Sequence, residues 1–392
     1  MSDAAINNPR AEIDAIDREI LRLLNRRAEI ALRVGAAKAE AEASLCDPVR
    51  ENEVIKNIVA ENPGPFDDRG VANIFHRIID ESLYLQQNTY RSPGSQPAVS
   101  AGEEITVGSQ RVRVAFLGEH GTFSETAAIG ILGADAEYVS FPTFEELFRA
   151  VAQGKADCII SPLENSLVGS IQRCYDLLLE SDLSIIGEII LPVSHFLIGC
   201  ESASIETIRT VESHVAALGQ CERFFAAHPH IQRVAADDTA GSVRRAVESG
   251  DPTLAAIGGR RTASIYGGKI IREHIEDHRE NYTRFALLAA EPDEANNGGK
   301  ISLVIRLKSE PGSLHNALRP FVRRGIDLVK IESRPIKGEP SKFNFYVDLQ
   351  APMNDRDLHG ALDEIREHAE TVRYLGRYPA VRLTDEQIEK IN

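Results

Sequence analysis

The sequence predicts a multidomain chain of α and α/β class: an all-helical N-terminal domain, a central α/β domain and a C-terminal βαββαβ domain of ferredoxin-like order. Three observations predict it. Residues 10–90 carry helical apolar periodicity almost without a break. From Arg111 the pattern changes to short apolar runs such as VRVAFLG, DCIISPL and HFLIG, separated by helical stretches. The tail then reads as strand 301–307, helix 312–324, strand 326–335, strand 343–350, helix 354–368 and strand 371–377, with Gly325 where a helix-ending glycine belongs. Two segments poor in large apolar side chains, 93–110 and 291–299, read as linkers. The expected domains are therefore 1–92, 111–290 and 300–392.

The chain's 392 residues suffice for two or three domains. A net charge of -15 argues against nucleic acid and anionic membrane surfaces as general partners, so an anionic substrate must be caught by locally placed Arg and Lys. No apolar run approaches the ~20 residues that span a bilayer. The N-terminus, MSDAAINNPRAEID, lacks the basic start and apolar stretch of a signal peptide. Cys46, Cys158, Cys174, Cys200 and Cys221 are odd in number, widely spaced and form no CxxC pair. Neither a disulfide framework nor a zinc site is indicated, and a reduced cytoplasm is the expected setting, with no metal or cofactor.

On a helical wheel the first helix aligns Ile13, Ile16, Ile20, Leu24, Ala31 and Val34 in one apolar stripe, and Arg27 and Lys38 fall inside it. A solvated charge belongs on the opposite face. Two cations on a buried face need internal carboxylates or a bound anion, or else they snorkel outward. Ser82 and Gln86 likewise share a face with Phe75, Ile79 and Leu83, so polar groups from two helices converge on one apolar interior. Arg27 and Lys38 lie ~16 Å apart along a helix, a span two long side chains and a small ligand can bridge. Arg10 is ~25 Å from Arg27, too far for the same pocket, which suggests that it serves a neighbouring subunit in a helical dimer.

The strings PRAEIDAIDREILRLLNRRAEIALRVGAAK, DPVRENEV and IIDESLYLQQ make this region similar to the all-helical chorismate mutase domain. Arg10, Arg27, Lys38, Asp47, Arg50, Glu51, Ser82 and Gln86 match the polar positions of that family's pocket. The resemblance implies a pericyclic rearrangement without a protein nucleophile, driven by orientation and by cations facing the developing charge. It implies that Lys38 and Gln86 face the ether oxygen and that Arg27 and a partner's Arg10 hold carboxylates. Glu51 would receive the ring hydroxyl, and Arg50 would line the pocket. Asp47 before Pro48 also fits a plain helix cap.

In the α/β region, VRVAFLG runs into GEHGTFSETAA, where Gly118 and Gly121 permit a tight turn and Thr122 or Ser124 can cap the following helix. The GxGxxG spacing of a dinucleotide site is absent. Further polar clusters are Glu164, Asn165 and Ser166 at a strand end, Ser213, His214 and Gln220, then Asp238 and Thr239. Last come Thr283 and Arg284, opening a strand after what reads as a helical segment. Cys221 and His214 read as lying in one helix with Cys221 in apolar surroundings, which argues against a cysteine hydrolase. His214 is a general acid by type, with a structural role as the alternative.

GTFS, ENS with a following Gly, SHxxxLxQC and TRF, in this order, resemble the prephenate dehydratase family. The resemblance implies two lobes like a periplasmic binding protein with the site in the cleft: 111–189, then 190–275, then a return strand near 283–290. Thr283 is expected nearest the leaving hydroxyl, with Arg284 as carboxylate anchor or structural support. Asn165, Ser213, Gln220 and Thr122 are expected to orient the substrate, with Thr239 a further candidate. Hydroxyl and amide donors suit a reaction in which a hydroxyl departs as carbon dioxide is lost.

EPGSLHNAL and ESRPIKG in the tail resemble the amino-acid-binding regulatory module called ACT. This implies phenylalanine as effector, held by Gly312, Ser313, Leu314, Glu332, Ser333 and Arg334, with a purely dimerising module as the alternative. His315 stands where that family carries an aliphatic residue. Together the motifs identify the chain as a member of the bifunctional chorismate mutase–prephenate dehydratase family, taking chorismate to prephenate and then phenylpyruvate under phenylalanine feedback. A homodimer or higher homo-oligomer is expected. The competing readings are a two-lobed ligand-binding regulator, and a dehydratase whose helical domain only dimerises.

Overall fold

The computed structural model describes residues 3–41, 45–90, 112–290, 298–352 and 355–391. The first expected linker, 93–110, and residues 291–297 of the second lie outside them. Packing divides the chain into two units: Met1–Gln96 with Ile305–Val372, and Pro97–Val304 with Arg373–Asn392.

Helices α1 (Asp3–Glu40), α2 (Pro48–Ala60) and α3 (Asp68–Tyr90) cover nearly all of the stretch read as helix. Asp47 caps α2 through Arg50 N at 3.1 Å, with proline in the first turn, so the capping reading of the Asp–Pro pair is realised. The α1 stripe is not buried as expected: Ile13, Ile16, Ile20, Leu24 and Val34 are all exposed in the single chain. In the single chain the contacts with α3 fall at Arg27, Ala31 and Gly35, and the stripe on either side of them is left uncovered.

The central elements follow in chain order. They are β1 (Arg113–Leu117), α4 (Phe123–Leu132), β2 (Glu137–Phe141), α5 (Phe144–Arg149), β3 (Cys158–Asn165), β4 (Gly169–Ser170), α6 (Gln172–Glu180) and β5 (Ser184–Pro192). Next come β6 (Phe196–Gly199), β7 (Thr210–His214), α7 (Val215–Gly219), α8 (Glu222–Ala227), β8 (Gln232–Ala236), α9 (Thr239–Glu248), β9 (Leu254–Gly258), α10 (Arg260–Tyr266), β10 (Lys269–Arg272) and β11 (Tyr282–Ala289). The tail contributes β12 (Lys300–Leu307), α11 (Ser313–Arg323), β13 (Leu328–Ile336), β14 (Glu339–Gln350), α12 (Asp355–His368), β15 (Ala369–Tyr378), β16 (Ala380–Arg382) and α13 (Asp385–Ile391).

The first lobe is a seven-stranded sheet, order β16-β5-β11-β3-β1-β2 with β4 beside β3, and the second a five-stranded sheet, order β10-β6-β9-β7-β8. The runs Val114–Phe116, Cys158–Ile160 and Phe285–Leu288 are buried because helices cover the sheet. The chain crosses between lobes twice, at 193–195 and at 273–281. The second crossing is irregular rather than helical, correcting the sequence expectation. Its backbone groups bond across to the first crossing, Val193 N to Asn281 O and Ile275 N to His195 O, which satisfies them as a helix would. The tail sheet runs β13-β14-β12-β15, antiparallel where β13 meets β14, and Gly325 adopts φ +59° just past α11.

Candidate functional site

In the helical unit, α1 and α3 bring Arg27 and Ser82 together, Nη1 donating to Oγ at 2.5 Å and more distantly to Ile78 O. Arg27 is half-buried, and among the described residues no carboxylate pairs with it; burial lowers its pKa. Gln86 is buried and donates to Ala31 O across the helices. Gly35 permits that approach, since a Cβ there would lie 2.9 Å from Gln86 Cγ. The sequence reading missed Gly35; a glycine inside a strong helix was the available signal.

Lys38 is half-buried and donates to Leu45 O at 2.9 Å. Glu51 is paired with Arg323 of α11, and Asp80 with Arg319 and Arg323. Arg50 is exposed and pairs with Glu53, outside the group formed by Arg27, Ser82 and Gln86. Arg10 is exposed too.

The two-lobed domain holds a chain of amides whose direction is fixed at one end. Asn165, the last residue of β3, accepts Leu167 N and Val168 N on Oδ1, each at 3.0 Å. Its Nδ2 must therefore donate, and it faces Thr283 Oγ1 at 3.0 Å and Asn281 Oδ1 at 2.7 Å. Asn281 is fully buried, so its own Nδ2 turns to Gln220 Oε1 at 2.9 Å. That oxygen also meets His195 Nε2 at 2.7 Å. Thr283 thus accepts a hydrogen bond and keeps its own proton to give, and the half-buried Gln220 keeps an NH2 with no protein acceptor among the described residues.

Arg284 follows Thr283 on β11, and alternation sends it to the opposite face. There its Nε donates to the buried Glu188 at 2.6 Å, and Lys300 Nζ holds both Glu188 oxygens at 2.9 Å. Ser213 is buried and donates to Ile257 O. Thr122 caps α4, and its hydroxyl also donates to Leu117 O; Gly118 and Gly121 take φ +87° and +91° in the turn before it. Thr239 is the first residue of α9, which Asp238 caps. His214 and Cys221 do not share one helix: His214 caps α7 and Cys221 begins α8. Cys221 is fully buried, and burial pushes its thiol far up, so it is no nucleophile.

The lobes also meet through Arg244 with Glu119, Arg261 with Glu125, and Thr262 Oγ1 with Gly121 O. His195, Asn281 and Glu188 were not picked out from the sequence: His195 only opens the apolar run HFLIG and Asn281 only precedes Thr283 by two residues, and it is the hydrogen bonds that reveal them.

In the tail, Gly312 adopts φ +87° and opens α11, Ser313 Oγ bonds Glu310 O, and Leu314 is exposed. Glu332 and Arg334 lie on one face of β13, and Ser333 on the other with exposed Val329 and Ile331. Among the described residues no group of three or more His, Cys, Asp or Glu is arranged to hold a metal, and no helix is long and apolar enough to cross a membrane.

The fold and geometry define a multidomain enzyme with one candidate site among packed helices and another between two α/β lobes. Residues 9–87 match the family model of chorismate mutase type II, and 114–293 that of prephenate dehydratase. The chain is 34% identical to the bifunctional chorismate mutase/prephenate dehydratase of Neisseria gonorrhoeae, covering 95% of this chain and 97% of that one. It is 33% identical to the corresponding protein of Aquifex aeolicus, covering 96% and 98%. A solved structure of prephenate dehydratase from Arthrobacter aurescens in complex with L-Phe is 29% identical with TM-score 0.63, covering 68% of this chain and 90% of that one. The chain belongs to the bifunctional chorismate mutase/prephenate dehydratase family. It rearranges chorismate to prephenate, then dehydrates and decarboxylates prephenate to phenylpyruvate.

Proposed function

We propose that the two steps are carried by two separate sets of side chains. Arg27, Lys38, Ser82 and Gln86 serve the first, and Thr283, Asn165 and Gln220 the second. The observation that carries the proposal is the directed amide chain, which leaves one hydroxyl proton and one amide NH2 unspent. In prephenate the bond to the ring carboxylate breaks, its electrons enter the ring, and the C–O bond breaks at the opposite carbon. Thr283 gives its hydroxyl proton to the departing oxygen, which leaves as water, and takes one back from solvent, while Gln220 orients the substrate and Asn165 orients Thr283. Arg284 acts as structural support through Glu188.

For the first step, a half-buried arginine without a carboxylate partner suits a substrate carboxylate, and Gln86 and Lys38 suit the ether oxygen. The exposed apolar stripe of α1 supports a homodimer in which Arg10 enters the partner's site and Glu51 exchanges Arg323 for the substrate hydroxyl. Asp47 and Arg50 border that site. The tail is read as a ferredoxin-like ACT module taking phenylalanine through Gly312, Ser313, Leu314, Glu332, Ser333 and Arg334, supported by the L-Phe complex of the Arthrobacter relative. Five free cysteines suit a reducing cytoplasm.

The test is to feed chorismate to purified protein and follow prephenate and phenylpyruvate, with and without phenylalanine. Thr283→Ala should stop the reaction at prephenate; equal loss of both activities in folded protein would refute two separate sites.

A further inference from the structure

Gln220 can present its NH2 to substrate only while its oxygen is held. That orientation is set from both sides, by Asn281 Nδ2 at 2.9 Å and by His195 Nε2 at 2.7 Å. An amide flipped end for end would aim its NH2 at the Asn281 NH2, a donor whose direction the Leu167 and Val168 amides already fix through Asn165. His195 must then carry its proton on Nε2, which leaves Nδ1 bare. Nδ1 is indeed buried and, among the described residues, without a hydrogen-bond partner. The residue is only 2% exposed, and burial holds its pKa below the usual imidazole value, as the neutral tautomer requires.

The backbone around this imidazole is fastened. His195 N donates to Glu276 Oε2 at 2.9 Å, and its carbonyl accepts Ile275 N, so it sits where the two crossings between the lobes are tied together. Its ring stands edge-on to Phe123, the first residue of α4 in the GTFS string. A histidine this buried, with one nitrogen bonded to a single amide and the other to nothing, has little structural return for the cost of burying a ring nitrogen.

We infer that His195 is a positioning residue of the dehydratase: as a neutral Nε2–H tautomer it locks the Gln220 amide with its NH2 toward the substrate. This rests on the reading that Gln220 orients prephenate, and the variants separate the two claims. In steady-state phenylpyruvate formation, His195→Phe should lower kcat/KM about tenfold or more, the worth of one mis-set hydrogen bond at the reacting centre. His195→Gln, which can still donate to the Gln220 oxygen, should recover most of that loss. In a Gln220→Leu background, His195→Phe should cost no further activity, because its effect passes through an amide no longer present.

Mutase activity of the same samples serves as the folding reference. If His195→Phe does not fold, nitrogen-15 NMR of the intact protein's histidines provides the second reading, with a protonated Nε2 and a bare Nδ1 expected for His195. Losses that multiply in the double variant, full activity in His195→Phe, or an Nδ1–H or doubly protonated ring at neutral pH would each overturn the inference. An active Gln220→Leu would instead overturn the reading of Gln220 on which it rests.

Discussion

Asn165→Asp is the sharpest perturbation of the dehydratase network, because it changes one NH2 to an oxygen and almost nothing in volume. The aspartate keeps the two bonds accepted from Leu167 N and Val168 N on one oxygen. Its other oxygen then faces Asn281 Oδ1 at 2.7 Å, Tyr282 O at 3.2 Å and Thr283 Oγ1 at 3.0 Å, three acceptors where there had been a donor. Two of these can adjust. Thr283 turns its proton inward to the carboxylate, and Asn281 flips, which in turn presents its oxygen to the Gln220 oxygen. Both donors reserved for substrate are thereby lost or misdirected.

Each net hydrogen bond is worth ~1 kcal/mol, and one misplaced transition-state donor ~3 kcal/mol, so the loss in kcat should be about a hundredfold or more at ~1.4 kcal/mol per tenfold. The assay is phenylpyruvate release from prephenate, with chorismate consumption measured on the same preparation. Dehydratase within threefold of wild type would show that the direction of the amide chain has no bearing on the reaction. A parallel fall in both activities would assign the effect to folding.

Other expectations follow from the same geometry. Arg27→Ala should lower chorismate turnover about a hundredfold while leaving the oligomeric state by light scattering and the rate of dehydration unchanged. Gly35→Ala should also impair the mutase, because its Cβ would press on Gln86 at 2.9 Å; the melting temperature and kcat together distinguish displacement of the amide from loss of fold. Glu188→Gln strips a buried carboxylate from Arg284 and Lys300, and should cost ~3–5 kcal/mol, a fall of about 10 °C in the dehydratase transition by calorimetry. Phenylalanine should bind in a calorimetric titration, and Ser333→Ala should weaken both that binding and the inhibition of dehydration.

The site was legible wherever a residue's type conflicted with its place in a local pattern. Arg27 stood on an apolar stripe, and the structure gives it Ser82 and, among the described residues, no acid. Asn165 and Thr283, 118 residues apart, were visible only as members of short strings. Arg284 stood in the same string as Thr283, yet the alternation of a strand separates them by a whole sheet. That placement, with Glu188 as its partner, supports the proposed structural role of Arg284. The segment before Thr283 reads as helical in sequence but is irregular where it crosses between the lobes, because its backbone partners include Val193 and His195, about 80 residues away.

What the sequence by itself determined is the run of helices in 10–90, the alternation that marks the α/β lobes, the βαββαβ tail and the family to which all three belong. These depend on period and composition, which are local. What only the tertiary structure decided is the state of each polar group: that Glu51 is held by Arg323, that Arg284 faces Glu188, and that His195 and Asn281 complete a chain of amides. A hydrogen bond's direction depends on which donors and acceptors are already spent, and that accounting closes only when distant segments meet.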